Sequence, residues 1–387
     1  MYSSYSSLQQ SQLAAQGYYD TQSTYLLVYA PGRNTALRAT LADQLHRKFR
    51  LADTLGSALT EGVDGVLLVS EDVECMSTAL MCFAKALQDG ADYAVCNAVF
   101  GFGGATALYQ SRAHLAQNRC ALVSRPLLER CRAAAKDPEN VTELLALAAQ
   151  FCAHPTRIPQ ALLHYERDIC AEDAFSATGK RAFLMSHVLD MTGAPIVLVS
   201  AVPVLRSMGY EVVVLGPSDG GALQLFVDAG AAVITRPGIR ATPNLWGLAL
   251  CTDLVLVNTV VMARTVRALS GTAVPVLWWL HDAFAGYPHI AHQIPTKLAE
   301  NVRLYSVGHH AANAMHAVRP DFQIGQLIYG LPDYAAEDFP RCDLGYPADK
   351  PLFATVGSFE RRKGHDIFCA AIRLLPEEVR NKATFLF

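Results

Sequence analysis

From residue 181 to residue 330 short apolar runs alternate with segments of helical pattern. The apolar runs fall near Ala182–Leu189, Glu211–Leu215, Ala232–Ile234, Asp253–Val257, Pro275–Leu280, Arg303–Val307 and Gln323–Tyr329. Between them, helical patterns cover Ile196–Met208, Ala222–Ala229, Asn244–Leu250, Val260–Leu269, Ile294–Glu300 and Ala311–Ala317. Such alternation predicts right-handed βαβ units and a parallel sheet with helices on both faces. It also predicts where ligands bind, in the loops that leave the carboxyl ends of the strands.

A chain of 387 residues has room for two or three domains. A hydrophobic content of 51% and a charged content of 17% allow large buried cores. The net charge of -3 gives no global case for nucleic acid. The ten Cys are scattered without a Cys-x-x-Cys pair, and read as reduced thiols, not as a disulfide frame or a zinc site. No signal pattern opens the chain and no apolar run reaches about 18 residues. The expectation is a cytoplasmic protein with at most peripheral membrane contact.

The front half is less regular. Residues 1–24 are rich in Ser, Tyr and Gln. A strand is predicted at Tyr25–Ala30, helices at Ala36–Phe49 and Leu51–Glu61, and a buried strand at Gly65–Ser70. Glu71, Asp72 and Glu74 follow that strand. Carboxylates crowded there are candidates to hold a divalent metal bridging a diphosphate; the alternative is a solvated turn before a helix at Thr78–Gln88. Further strands are expected at Asp92–Cys96 and Arg119–Ser124, and a helix from Asp137–Asn140 through Phe151. Arg157–Pro159 and Ala161–Tyr165 read as closing edge strands, and Gly101–Gly104 as a turn.

Beyond residue 180, three places at strand ends attract attention. In Asp190–Pro195, Gly193 removes a side chain and Pro195 fits a first helical turn, so exposed amides would suit an anionic or sugar oxygen. His281, beside Asp282, could hydrogen-bond a hydroxyl or oxyanion. Asn258 reads as a helix N-cap. His289, His292, His309 and His310 lack carboxylate or Cys companions at useful spacing, so no metal is assigned to them. From Pro351 a further strand ends at Gly357, followed by a basic loop (Arg361, Arg362, Lys363) and a helix from His365 to Leu375. Loop amides, helix dipole and these charges together favour a phosphate, against the alternative of a solvated basic loop. With one more strand at Ala383–Phe387, the sheet has barely two strands, which predicts an incomplete domain.

Four stretches in this order and spacing carry a resemblance: 186–195 (SHVLDMTGAP), 278–282 (WWLHD), 328–333 (IYGLPD) and 356–366 (VGSFERRKGHD). Residues 181–387 resemble a GT-B-fold, family-4-type retaining glycosyltransferase. The resemblance implies a nucleotide-diphosphate sugar lying in a cleft between two Rossmann-like domains. It places Gly193 and Gly357 near the donor phosphates, His281 on the reacting sugar and Lys363 on the departing diphosphate. Many members carry Arg after the second glycine, where this chain has Ser358, and Arg361 and Arg362 are the candidates to compensate. Residues 8–168 look like a family-2-type GT-A module: 66–74 (VLLVSEDVE) matches the acidic strand end, with Glu71 and Asp72 in the metal positions. Leu26–Ala30 resembles the family's second strand, where Ala30-Pro31 replace the usual acidic residues, and Asn140 stands where the family has its general base; Asn cannot accept a proton.

The fold class implied is α/β: a GT-A-like module, a GT-B N-terminal Rossmann-like parallel-sheet domain, and the start of a second Rossmann-like domain. The corresponding organisation is a polar segment (1–24), the GT-A-like module (25–168), a linker (169–180), the first Rossmann-like domain (181–336), a second linker (337–350) and the incomplete domain (351–387). The implied activity is sugar transfer from a nucleotide-diphosphate sugar to a glycan or lipid-linked acceptor in surface polysaccharide assembly. No cofactor is expected for the GT-B part, and magnesium or manganese is the candidate for the front module. The alternatives are a non-catalytic scaffold and a GT-B-fold nucleotide-sugar epimerase. A dinucleotide oxidoreductase is disfavoured, because no G-x-G-x-x-G follows a strand.

Overall fold

Continuous apolar runs become buried strands throughout. The computed structural model describes residues 21–56, 58–59, 62–101, 106–109, 119–175, 179–218, 220–236, 238–239, 246–330, 341–357, 359 and 361–387. In the front half, β1 (Leu26–Tyr29) pairs in parallel with β2 (Phe49–Ala52) and β3 (Gly65–Val69). β4 (Glu74–Cys75), β5 (Tyr93–Phe100), β6 (Thr106–Tyr109), β7 (Cys120–Ser124) and β8 (Thr156–Tyr165) complete it. β7 runs antiparallel between β3 and β5. Alternate β1 side chains enter two cores: Leu26 and Val28 pack on one face, Leu27 and Tyr29 on the other. Among the described residues, these strands are flanked by helices α1 (Thr35–Leu41), α2 (Ala79–Gln88), α3 (Arg125–Ala134) and α4 (Val141–Phe151).

Four sequence expectations fail locally. The helix predicted over Ala36–Phe49 ends at Leu41, and Leu51–Glu61 contains no helix among its described residues. Residues 49–52 are instead drawn into the sheet, Phe49 opposite Leu26 and Ala52 opposite Tyr29. Long-range pairing overrides a local helical pattern there. Arg157–Pro159 and Ala161–Tyr165 form one strand, β8, which pairs with β5 across a register shift near Asn97. Ile294–Glu300 forms turns, not a helix. The Arg319 guanidinium takes up its carbonyls, donating to Ala291, Ile294 and Pro295 at 3.2, 2.7 and 3.0 Å.

The predicted parallel sheet is present. It is built of β9 (Lys180–Met185), β10 (Tyr210–Gly216), β11 (Ala232–Thr235), β12 (Leu254–Asn258), β13 (Val276–Leu280), β14 (Val302–Ser306) and β15 (Ile324–Gln326). Helices α5 (Gly193–Ser207), α6 (Leu223–Asp228), α7 (Ala263–Leu269) and α8 (His309–His316) lie between strands. The spatial order is β11-β10-β9-β12-β13-β14-β15, every neighbour parallel. This is the Rossmann-like pattern, with its reversal of strand order between β9 and β12. Its two faces are buried separately: Phe183, Val257 and Trp278 in one core, Leu184, Leu256 and Trp279 in the other. β11 also pairs antiparallel with β6, so one 15-stranded sheet runs through both halves.

The chain divides between Tyr329 and Gly330. The second unit holds β16 (Leu352–Ala354), paired in parallel with β17 (Thr384–Leu386), and α9 (His365–Leu374). Phe368 of α9 meets Phe385 and Phe387, with ring centroids 6.2 and 5.3 Å away. Ile367 and Leu374 remain exposed, as two strands cannot cover the rest of an amphipathic helix. No helix of the described residues is long and apolar enough to cross a membrane.

Candidate functional site

At a strand-order reversal the connecting helices leave toward opposite faces, which opens a crevice at the carboxyl edge. Here that edge carries Ser186 and His187 after β9, Asn258 and Thr259 at the end of β12, and His281 and Asp282 after β13. Asn258, predicted as an N-cap, does something else. Thr259 holds the N-terminal position of the next helical turn, while the Asn258 amide donates to the Ala194 carbonyl at 3.0 Å. It thereby ties β12 to the first turn of α5. Its Oδ1 is buried with no hydrogen-bond partner among the described residues.

β13 holds the turn after β12 in place. The Thr259 amide donates to the Trp279 carbonyl at 2.8 Å, and Trp278 Nε1 donates to the Thr259 carbonyl at 2.7 Å. The Asp282 carboxylate accepts from the Val260 amide at 2.7 Å. Burial pushes Asp282 up from the ordinary carboxylate value, against the amides of Val260, His281 and Asp282. The candidate His281 sits on this frame, its ring 4.7 Å from that of Trp279. Burial, then the charge of neighbouring His187, lowers it to about 4. Near neutral pH it is an uncharged imidazole whose buried Nε2 has no partner among the described residues. Such a group can exchange hydrogen bonds with a hydroxyl, but it brings no positive charge.

Gly193 is the first residue of α5, and a Cβ built there would meet nothing within 4 Å. The protein's own packing therefore leaves its approach open. Gly220 behaves oppositely: a Cβ there would fall 2.3 Å from the Leu189 carbonyl oxygen, so it lets the loop before α5 pack against the chain after β10.

In the second unit, Gly357 follows β16 and the Lys363 side chain runs 3.5 Å from where its Cβ would be. Arg361 and Lys363 are exposed, in a single turn of 3-10 helix (Arg361–Lys363). Gly364, at φ 73, then opens α9. Glycine reaches that left-handed conformation without steric cost. Ser358 lies outside the described residues, as do residues 1–20 and 331–340 and the core of the predicted Gly101–Gly104 turn. Arg362 belongs to the same 3-10 turn.

The front-module carboxylates are each engaged by a different part of the chain. Asp72 accepts from the amides of Thr35, Ala36 and Leu37 at 2.9, 3.1 and 3.1 Å, and from the Thr35 hydroxyl at 3.0 Å. It caps α1 from a distance. Burial works against its ionisation, yet those bonds hold it below the usual value. Glu71 accepts from Arg167 at 2.6 Å, and Glu74 lies 2.7 Å from His164 Nδ1. Arg167 also grips Asp173 at 2.6 Å, where only 2% of that side chain is exposed. Asn140 caps α4 by accepting from the Glu143 amide at 3.0 Å, and Glu139 accepts from the amides of Leu55 and Gly56. Among the described residues no group of three His, Cys, Asp or Glu side chains could hold a metal ion.

Sequence reasoning did not single out His187 or Thr259. A His after a strand carries no signal by itself, and nothing in the residue type announces the backbone of Thr259.

Solved structures similar to this chain include two of Anabaena HepE. One, in complex with UDP and glucose, is 16% identical, with 54% of this chain and 60% of that chain covered and a TM-score of 0.42. The other, in complex with UDP, is 16% identical, with 54% and 69% covered and a TM-score of 0.43. The chain thus spans about 60% of the first of these structures. No curated protein matches. Residues 178–316 match the family model described as glycosyl-transferase family 4, a span that runs from just before β9 to the end of α8 and contains His187, Gly193, Asn258, Thr259, His281 and Asp282.

Proposed function

We propose that this protein transfers a sugar from a nucleotide-diphosphate sugar to an acceptor hydroxyl. The observation that carries the reading is the uncharged His281, whose buried Nε2 has no hydrogen-bond partner among the described residues, at the carboxyl edge, next to the strand-order reversal and inside the span that matches glycosyl-transferase family 4. His281 hydrogen-bonds the reacting sugar, and the open backbone at Gly193 and the amides that start α5 approach the donor. In the second unit, Lys363 and Arg362 neutralise diphosphate charge, and Gly357 and Ser358 are the accompanying donor-binding candidates; the support is local, a basic turn between a strand end and a helix start. Leaving-group stabilisation by these groups needs no metal. Exposed Met191, in the loop before α5, and Phe284, in a 3-10 turn after His281, suit a glycan or lipid-linked acceptor of surface polysaccharide assembly. The test is release of nucleoside diphosphate from a panel of UDP- and GDP-sugars. His281→Ala and Lys363→Ala should lose transfer by about 100-fold or more while staying folded. Wild-type rates in both would reject the assignment, and product without any acceptor would favour epimerisation.

For the front module we propose a non-catalytic role. Glu71, Asp72, Glu74 and Asn140 serve internal hydrogen bonds, and β6 joins the module to the Rossmann-like sheet. Calorimetry on the full chain with Mn²⁺ or Mg²⁺ and each nucleotide sugar checks this. Metal-dependent binding abolished by Glu71→Gln or Asp72→Asn would reject it.

A further inference from the structure

Thr259 is the only non-glycine residue with positive φ among the described residues. Its φ of 72 and ψ of 160 fall in a region that is essentially reserved for glycine, and it is β-branched and 1% exposed. Three hydrogen bonds hold the distortion: its own amide to Trp279, its carbonyl from Trp278, and the next amide to Asp282. If the chain had only to turn at this point, glycine would turn it without strain. The side chain must therefore have a use in that place. Its Oγ1 lies 3.3 Å from Nδ1 of His187, 72 residues earlier in the chain and at the end of the neighbouring strand β9. The contact crosses the reversal in strand order, at the mouth of the crevice.

We infer that Thr259 is a positioning residue, whose strained backbone aims its hydroxyl at His187 and fixes that imidazole beside His281 as a second hydrogen-bonding group for the bound sugar. A hydroxyl on Nδ1 fixes the ring orientation and selects which nitrogen carries the proton. His187 then meets a ligand hydroxyl already oriented, which is where preorganisation gains rate. The part of this that concerns sugar rests on the function proposed above; the positioning of His187 does not.

The test uses the full chain with Thr259→Gly, Thr259→Val and Thr259→Ser. Three quantities are measured: the melting temperature, the ring nitrogen resonances of His187 in ¹⁵N-histidine-labelled protein, and nucleoside diphosphate release from UDP- and GDP-sugars. Thr259→Gly should keep or raise the melting temperature, because relief of strain offsets the lost contacts. Thr259→Gly and Thr259→Val should both shift the His187 Nδ1 resonance and lower kcat at least tenfold. Thr259→Ser, which keeps the hydroxyl, should restore both. Unmoved His187 resonances in the Gly and Val variants would overturn the inference. So would a Thr259→Gly protein that loses many degrees of stability, which marks a packing role. If the wild type releases no nucleoside diphosphate from any donor, the proposed function fails, while the resonances and melting temperatures still decide the role of Thr259.

Discussion

Acid should destabilise the first unit through His281, by an amount the structure supplies. Its folded-state value of about 4 lies below the ordinary 6.5. The folded state thus binds fewer protons than the unfolded chain between these values. The stability this represents is complete above pH 6.5 and disappears as pH falls through 4. A difference of about 2.5 units, at 1.36 kcal/mol each, amounts to about 3 kcal/mol. Urea unfolding can follow it by tryptophan fluorescence, since the three Trp are residues 246, 278 and 279, all in the first unit. Other groups titrate as well, so the informative quantity is the difference between wild type and His281→Phe. Between pH 7 and pH 4 the wild type should lose about 3 kcal/mol more than the variant. The two proteins losing stability in parallel would refute the buried, neutral imidazole. In the native protein, protonation beside Trp279 should also change fluorescence near pH 4 in wild type only.

Other outcomes follow from single contacts. Arg167→Ala frees Glu71 and leaves Asp173, almost wholly buried, with the Cys170 amide at 2.9 Å and Arg119 at 3.6 Å; it should destabilise by about 1–3 kcal/mol in urea unfolding, less at a pH low enough to protonate Asp173. Asp72→Asn removes an anionic cap from α1 and should cost about 1–2 kcal/mol without altering sugar transfer; lost transfer would give Asp72 a role beyond capping. Gly220→Ala must push the Leu189 backbone aside, and should lower the melting temperature by several degrees and weaken donor binding together; an unchanged protein would contradict the packing described.

Most of the strands in the second half were legible in the sequence because they are buried on both faces. Runs such as Val255–Val257 and Val276–Leu280 stay apolar whatever surrounds them. β2 was not legible, since the pattern of residues 49–52 fits a helix as well and only β1 makes it a strand. The position of His281 was readable as a polar residue ending the strongest strand. The employment of the front carboxylates was not: the partners of Asp72, Glu74 and Glu71 lie 37, 90 and 96 residues away in the chain. A spacing can show that acids crowd a strand end, but it cannot show that each already has a donor. Thr259 is the extreme case, because strain at a residue belongs to the tertiary structure and leaves no trace in residue type.

The most direct measurement is a histidine ring spectrum during titration with UDP- and GDP-sugars. If the crevice at the carboxyl edge receives the donor sugar, the resonances of His281 and His187 move with a common saturation curve for at least one donor, and exposed His154 stays still. A donor that is turned over while His281 and His187 remain unperturbed would place the chemistry elsewhere and contradict the account.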